Sequence, residues 1–262
     1  MFPLIDTPAI DLIMKEMESA GIRDILVVTS RRKKALEDYF DREVELEATF
    51  TAEGSQGKLK HIDPIDVNIF FLRQKHMAGT GDALLLVEPF VGDSPFVVAY
   101  PDDVQLRGPS LSKQLVDLYE QTGCTVLAGK EMPEGDISRW GVLDVADQDG
   151  VLRVKGMVEK PATGTEPSRI IGYGRYLYTP DLFAALRRAR GNVKQGKEFT
   201  QTEAINELAA RDRVVVKLFE GDMMDVGTKD GFLESIVEYG LSRPEFRENF
   251  LSYMKKVVAR EG

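Results

Sequence analysis

Two hydrophobic periods alternate along the chain, beginning near its first residues. Ile10, Ile13, Met14 and Met17 share one face of a helical wheel, and Gly21 closes the run. Thr7-Pro8 supplies a capping hydroxyl and then a proline at the first helical position, so a helix is expected to start there. Residues 24–29 (DILVVT) form a continuous apolar run, the pattern of a strand buried on both faces. A basic helix is expected over about 32–40. A strand over 67–72 (VNIFFL), a short helix near 82–87 and a second buried strand over 96–100 follow.

Residues 110–122 read as a helix closed by Gly123, and 125–128 as a strand. This βαβα order predicts an α/β fold with a largely parallel sheet and helices on both faces. The pattern then changes, because 140–145 and 151–158 read as a hairpin turning at Gln148-Asp149-Gly150. A strand over 170–178, helices near 180–190 and 202–210, a strand over 214–219 and two helices from Lys229 complete the chain. With no repeat, low-complexity tract or Pro/Ser-rich linker, residues 1–262 are expected to form one domain carrying an antiparallel hairpin insertion.

Composition narrows the class. The 43% hydrophobic and 29% charged residues are the balance of a globular protein. The net charge of −9 opposes a role in coating nucleic acid or an anionic membrane, since both need a cationic field. A single cysteine, Cys124, cannot form an intramolecular disulfide, and no 18-residue apolar span or signal segment is present. A reducing, cytoplasmic setting is expected. His61 and His76 are the two histidines, too few for a zinc site of several histidines.

In doubly wound sheets ligands collect beyond the carboxyl ends of the strands, and three loops there are chemically unusual. The first runs from Arg73 to Asp82 (RQKHMAGTGD). Its Gln74 amide can match a base edge, and Gly79 and Gly81 let backbone N–H groups approach a ligand; the other reading is an ordinary glycine-rich turn. The second is Tyr100-Pro101-Asp102-Asp103, where a carboxylate at a strand end suits Mg²⁺ held against a phosphate. Asp103 reads better as a turn or cap residue, and Asp225, before Val226-Gly227-Thr228-Lys229, either ligates or caps the next helix. The third is Gly156 to Pro161 (GMVEKP), where Glu159 beside Lys160 either binds sugar hydroxyls and phosphate or is a solvated ion pair. Trp140-Gly141 is either a sugar platform or a strand start. The run Arg31-Arg32-Lys33-Lys34 reads as a solvated helix face, Cys124 and the methionines as core, and His76 as an exposed loop residue.

Taken in order, these segments resemble the bacterial UTP–glucose-1-phosphate uridylyltransferases, the UDP-glucose pyrophosphorylases. The resemblance is carried by Phe2 to Ile10, Gly21 to Thr29, the RQ…G-x-G loop at 73–81, Pro101-Asp102 and Trp140-Gly141-Val142. It continues through Val158 to Pro161, Gly174-Arg175-Tyr176, Thr202 to Ile205, Asp225 to Lys229 and Val237 to Gly240. It covers almost the whole chain in unbroken order. It implies a Rossmann-like nucleotidyltransferase fold and formation of UDP-glucose and pyrophosphate from UTP and glucose 1-phosphate. By position, Gln74, Gly79 and Gly81 would read uracil. Asp102 and Asp225 would hold Mg²⁺. Gly141, Glu159 and Gly174 would line the glucose site, with Lys160 and Lys229 reaching phosphates. A homo-oligomer is implied, with the helical stretch after Leu241 as the contact element.

The family's usual chain opens with a strand and a G-x-G-T-R loop ahead of the equivalent of FPLIDTP, where Met1 stands here. Two readings follow: an ordinary enzyme cropped at an internal Met, or a short paralogue that binds nucleotide sugar without efficient turnover. Loss of a mid-sheet strand would expose two rows of backbone groups. Asp82 stands where the family commonly has histidine, and Lys197, Thr200-Gln201 and Gly172-Tyr173 also depart. Those departures bear on the sugar, and dTTP is a further candidate nucleotide.

Overall fold

The computed structural model describes residues 3–31, 33–193 and 196–262; Phe2 and Arg32 therefore lie outside the described residues. A small hairpin, β1 (Pro3–Leu4) with β2 (Thr7–Pro8), leads into α1 (Ala9–Ser19). Thr7 does not cap this helix: Pro8 holds the N-cap position, and the Thr7 hydroxyl instead donates to Asp6 and accepts from Tyr239 at 2.9 Å. Burial of Ala9, Ile13, Met14 and Met17 on one face stabilises α1.

Next come β3 (Asp24–Thr29), α2 (Lys34–Phe40), α3 (Val44–Ala52), α4 (Gln56–His61) and β4 (Asn68–Arg73). Strand β3 runs parallel to β4, from Asp24 opposite Asn68 to Thr29 opposite Arg73. The chain continues with α5 (Thr80–Val91), β5 (Phe96–Ala99) and β6 (Asp103–Arg107). Helix α6 (Leu111–Thr122) is capped by the Ser110 hydroxyl and ended by left-handed Gly123. Strands β7 (Thr125–Glu131), β8 (Gly141–Gln148), β9 (Val151–Glu159) and β10 (Ile170–Tyr178) precede α7 (Asp181–Arg190) and α8 (Thr202–Ala209). Then come β11 (Val214–Leu218), β12 (Asp222–Asp225), α9 (Lys229–Ser242) and α10 (Pro244–Glu261).

The main sheet has six strands in the order β5-β10-β7-β11-β9-β8. It is mixed rather than largely parallel, since within it only β7 and β11 run parallel. No helix stands between β7 and β10, so the chain has no crossover element to bring β10 back parallel. The expected antiparallel hairpin is β8–β9, and it joins the main sheet: β9 pairs with β11 at Arg153–Val215, and β8 meets β10 at Val142–Ile171.

Alternation along the strands divides the apolar residues between two faces. Leu127, Tyr176 and Val216 pack with α5, α7 and α8, while Val126, Leu177 and Val215 pack with α6. A third cluster joins α1 to Leu4, Ile25, Val104, Val226 and Tyr239.

Among the described residues, β3 and β5 are each paired along one edge only, β3 with β4 and β5 with β10. Between them lies an apolar cavity of about 960 Å³ walled by Ile25–Val28 of one and Phe96–Ala99 of the other. Both walls feed the same two faces, because Leu26, Val28, Phe96 and Val98 touch the α5/α7/α8 cluster while Val27, Val97 and Ala99 touch the α1 cluster. The expectation of strands buried on both faces therefore fails in the middle of β3 and along β5, which stay half-buried. Among the described residues no helix is long and apolar enough to cross a membrane.

Candidate active site

The acidic centre forms where β5 ends and β6 meets β12. Asp103 faces Asp225 across the antiparallel β6–β12 pair, and the Val226 N–H donates to the Asp102 carbonyl at 2.7 Å. Gly227 is wedged between the two predicted ligands: a Cβ there would lie 3.0 Å from Asp102 Oδ2 and 3.1 Å from Asp225 Oδ1. Asp102 and Asp225, 123 positions apart by their numbers, thus lie on either side of Gly227.

Asp103 closes the turn after β5, its N–H donating to the Tyr100 carbonyl at 3.3 Å, and does more than that. It opens β6, and its Oδ2 accepts the Gly174 N–H at 3.0 Å. Burial, with the charges of Asp102 and Asp225 beside it, pushes its carboxyl up to about 7, against the pull of Arg175 and the Gly174 N–H. A centre carrying this much unneutralised negative charge suits a hard divalent cation. Two carboxylates with phosphate oxygens completing the shell is the usual Mg²⁺ arrangement. Among the described residues no group of three or more His, Cys, Asp or Glu forms a ready-made cage, so a cation here would rely on its substrate for further ligands.

Behind this centre, fully buried Arg175 donates to Glu16 Oε2 at 2.5 Å and to the Asp103 carbonyl at 3.3 Å. Glu16 in turn accepts the Ser112 N–H at 2.6 Å, so one ion pair ties α1, α6, β6 and β10 together.

Of the expected sugar-side residues, Gly141 and Glu159 form a second group, while Gly174 lies against Asp103 in the acidic centre. Gly141 lies opposite Glu159 in the β8–β9 ladder, and a Cβ on Gly141 would collide with the Met157 methyl and lie 3.1 Å from Glu159 Oε2. Gly174 is just as confined, since its Cβ would strike the Asp103 carboxylate. Lys160 follows β9 with φ of 49°, a left-handed conformation uncommon outside glycine, and its N–H donates to the Trp140 carbonyl at 3.1 Å. One face of Trp140 is already covered by Arg139, 3.9 Å from the ring centre. Lys229 opens α9 and is exposed. Neither Lys160 nor Lys229 forms an ion pair among the described residues.

The glycine-rich loop forms the third group, and its glycines have a packing reason as well. Gly79, at φ of 116°, and Gly81 lie against Phe199, whose N–H donates to the Ala78 carbonyl and whose carbonyl accepts the Gly81 N–H, both at 2.9 Å. A Cβ on Gly81 would come within 2.9 Å of the Phe199 ring. Gln74 Nε2 donates to Asp82 Oδ2 at 3.4 Å. His76 is exposed, as expected, but Met77 is 81% exposed and does not belong to the core.

Sequence reasoning missed the link between loop and acidic centre. Buried Gln201 accepts from the Thr80 hydroxyl at 2.5 Å and donates to Tyr100 Oη at 2.6 Å. Tyr100 stands two residues before Asp102. Burial pushes its phenol up to about 12, and the nearby charges of Glu159 and Asp102 act in the same direction. The signal available was Gln201 itself, a polar departure within Phe199-Thr200-Gln201-Thr202.

Comparison with known proteins bears on this arrangement. The family described as "Nucleotidyl transferase" matches residues 1–240. A UTP–glucose-1-phosphate uridylyltransferase of Staphylococcus epidermidis is 37% identical over 260 residues, 98% of this chain and 90% of that protein. Its counterpart in Bacillus subtilis is 36% identical over 265 residues, covering 100% and 88% respectively. A solved UDP-glucose pyrophosphorylase complexed with UDP-glucose superposes with a TM-score of 0.80 at 32% identity, covering 93% of this chain and 90% of that one. The chain belongs to the nucleotidyl transferase family, within its UTP–glucose-1-phosphate uridylyltransferase branch.

Proposed function

We propose that this chain forms UDP-glucose and pyrophosphate from UTP and glucose 1-phosphate. The observation that carries the reading is the convergence of Asp102 and Asp225 on Gly227. Tyr100 and Gln201 connect that centre to the glycine-rich loop. A phosphate oxygen of glucose 1-phosphate attacks the α-phosphorus of UTP, and pyrophosphate leaves in line. Alignment and charge neutralisation dominate such a step. Mg²⁺, held by Asp102 and Asp225, would neutralise phosphate charge there.

In this reading Gln74 reads the base, with Gly79 and Gly81 shaping its loop. Gly141, Glu159 and Gly174 line the glucose side, where the Glu159 carboxylate accepts from sugar hydroxyls. Lys160 and Lys229, which form no ion pair among the described residues, present their ammonium groups to phosphate oxygens. The test is pyrophosphate release from UTP, glucose 1-phosphate and Mg²⁺. Turnover that disappears in Asp102→Ala, with the melting temperature kept, supports the assignment. An Asp102→Ala variant at full rate refutes it.

We also propose a homo-oligomer joined through α10, none of whose residues is buried and which exposes Tyr253 and Val258. A sedimentation weight that stays monomeric at micromolar concentration would refute it. Single, buried Cys124 fits a reducing, cytoplasmic setting.

A further inference from the structure

Gln74 is a reader with two dissimilar ends. A side-chain amide offers a carbonyl acceptor at one end and N–H donors at the other, and rotation by half a turn exchanges them. An amide free to turn could match uracil, with its N3–H donor beside a carbonyl, or cytosine, with its N3 acceptor beside an amino group. Something must decide which end is which.

The first turn of α5 supplies that element. Asp82 Oδ2 lies 3.4 Å from Gln74 Nε2. The Asp82 carboxylate is 13% exposed, and its Oδ1 is paired with Arg190 of α7 at 3.2 Å. A carboxylate engaged by a guanidinium accepts hydrogen bonds and does not donate them, so the amide end facing it must be the nitrogen. Gln74 Oε1 is left as the acceptor, with no partner among the described residues. The backbone at Gln74 is fixed as well, because its N–H donates to the Thr29 carbonyl at 2.8 Å.

We propose that Asp82 is a specificity-determining residue. By holding the Gln74 amide nitrogen, it makes the loop select a base that presents an N3–H, and so reject cytosine. Thymine presents the same edge as uracil, so the device separates both from cytosine and not from each other. Arg190 acts one step behind, holding Asp82 in place. The inference rests on the reading of the 74–81 loop as the base site.

The test is calorimetric titration of the whole chain with UDP and with CDP, in the wild type, Asp82→Asn and Arg190→Gln. An asparagine at 82 either donates or accepts, so it serves both orientations of Gln74. The UDP-over-CDP preference should fall by about tenfold or more in Asp82→Asn, the scale of one misplaced polar partner in a reading site. Arg190→Gln should move the ratio in the same direction by less. A merely structural role would weaken both nucleotides equally and leave the ratio alone. An unchanged ratio in Asp82→Asn with UDP still bound overturns this proposal alone. Absence of UDP binding to the wild type overturns the reading of the loop and this proposal with it.

Discussion

The inner strands of the main sheet and the two strands that border the cavity, β3 and the edge strand β5, are written in the same apolar alphabet and end in different states. Leu127 and Val215 in the main sheet are fully buried, whereas Leu26, Val27 and Val28 of β3 and all four residues of β5 remain half-buried. The difference lies in neighbours, since β7 and β11 are paired on both edges while β3 and β5 are each paired on one. An apolar run states what a strand can bury, and its partners decide how much of it is buried. Chemistry is divided as well: the acidic centre stands on the separate β6–β12 pair beyond the end of β5 and the Gly141–Glu159 pair on the β8–β9 ladder, while the Gln74 loop follows β4. Gln201 connects that loop, through Thr80, to Tyr100 beside the acidic centre.

The sharpest way to break this contrast is through its ion pairs. Arg175→Ala strands Glu16 in the interior and should cost about 3–5 kcal/mol, while Arg190→Ala, which removes an exposed guanidinium from the largely covered Asp82, should cost about 1 kcal/mol. Chemical denaturation of both variants checks the pair.

Asp103 gives a pH test of the acidic centre. Its unfolded carboxyl ionises near 3.8 and its folded one near 7, so the folded state holds the extra proton between those values. In the absence of divalent cation, stability should fall as pH rises from about 4 to 7 and level off above, by of the order of a few kcal/mol. Asp103→Asn, which still accepts the Gly174 N–H, should flatten that slope in pH-dependent urea melts.

Packing provides the third contrast. Leu127→Ala should cost about 2–5 kcal/mol, and Val98→Ala, beside the open cavity, about 1 kcal/mol or less. Equal losses would mean that the cavity is closed in solution. The smallest effect belongs to the bridge: Tyr100→Phe leaves the Gln201 amide short of one acceptor and should cost about 1 kcal/mol. Its Michaelis constant for UTP should rise more than that for glucose 1-phosphate.

Much of the fold was legible. The strands at 24–29 and 170–178 have the boundaries the pattern predicts, and Gly123 ends α6 as expected. Strand direction was not legible, because an apolar run carries no sign, and β10 returns antiparallel for want of a crossover helix. Helices α3 and α4 escaped notice, since no residue of α3 is buried and no apolar face announces it. At the site, Asp102, Asp103 and Asp225 could be placed on turns, but the contact of Asp103 with Gly174, 71 positions away, leaves no mark in its local sequence. Thr80, Tyr100 and Gln201 were missed for the same reason: their contact is tertiary and leaves no spacing in the chain.

The inner strands of the main sheet are paired on both edges, whereas its edge strand β5 and the facing strand β3 border an open cavity. Hydrogen exchange read peptide by peptide tests this contrast most directly. Amides of β7 and β10, around Val126, Leu127 and Leu177, should exchange only with global unfolding. Amides of β3 and β5 that face the cavity should exchange at least about a hundredfold faster. Uniformly slow exchange across β3, β5, β7 and β10 would contradict the account.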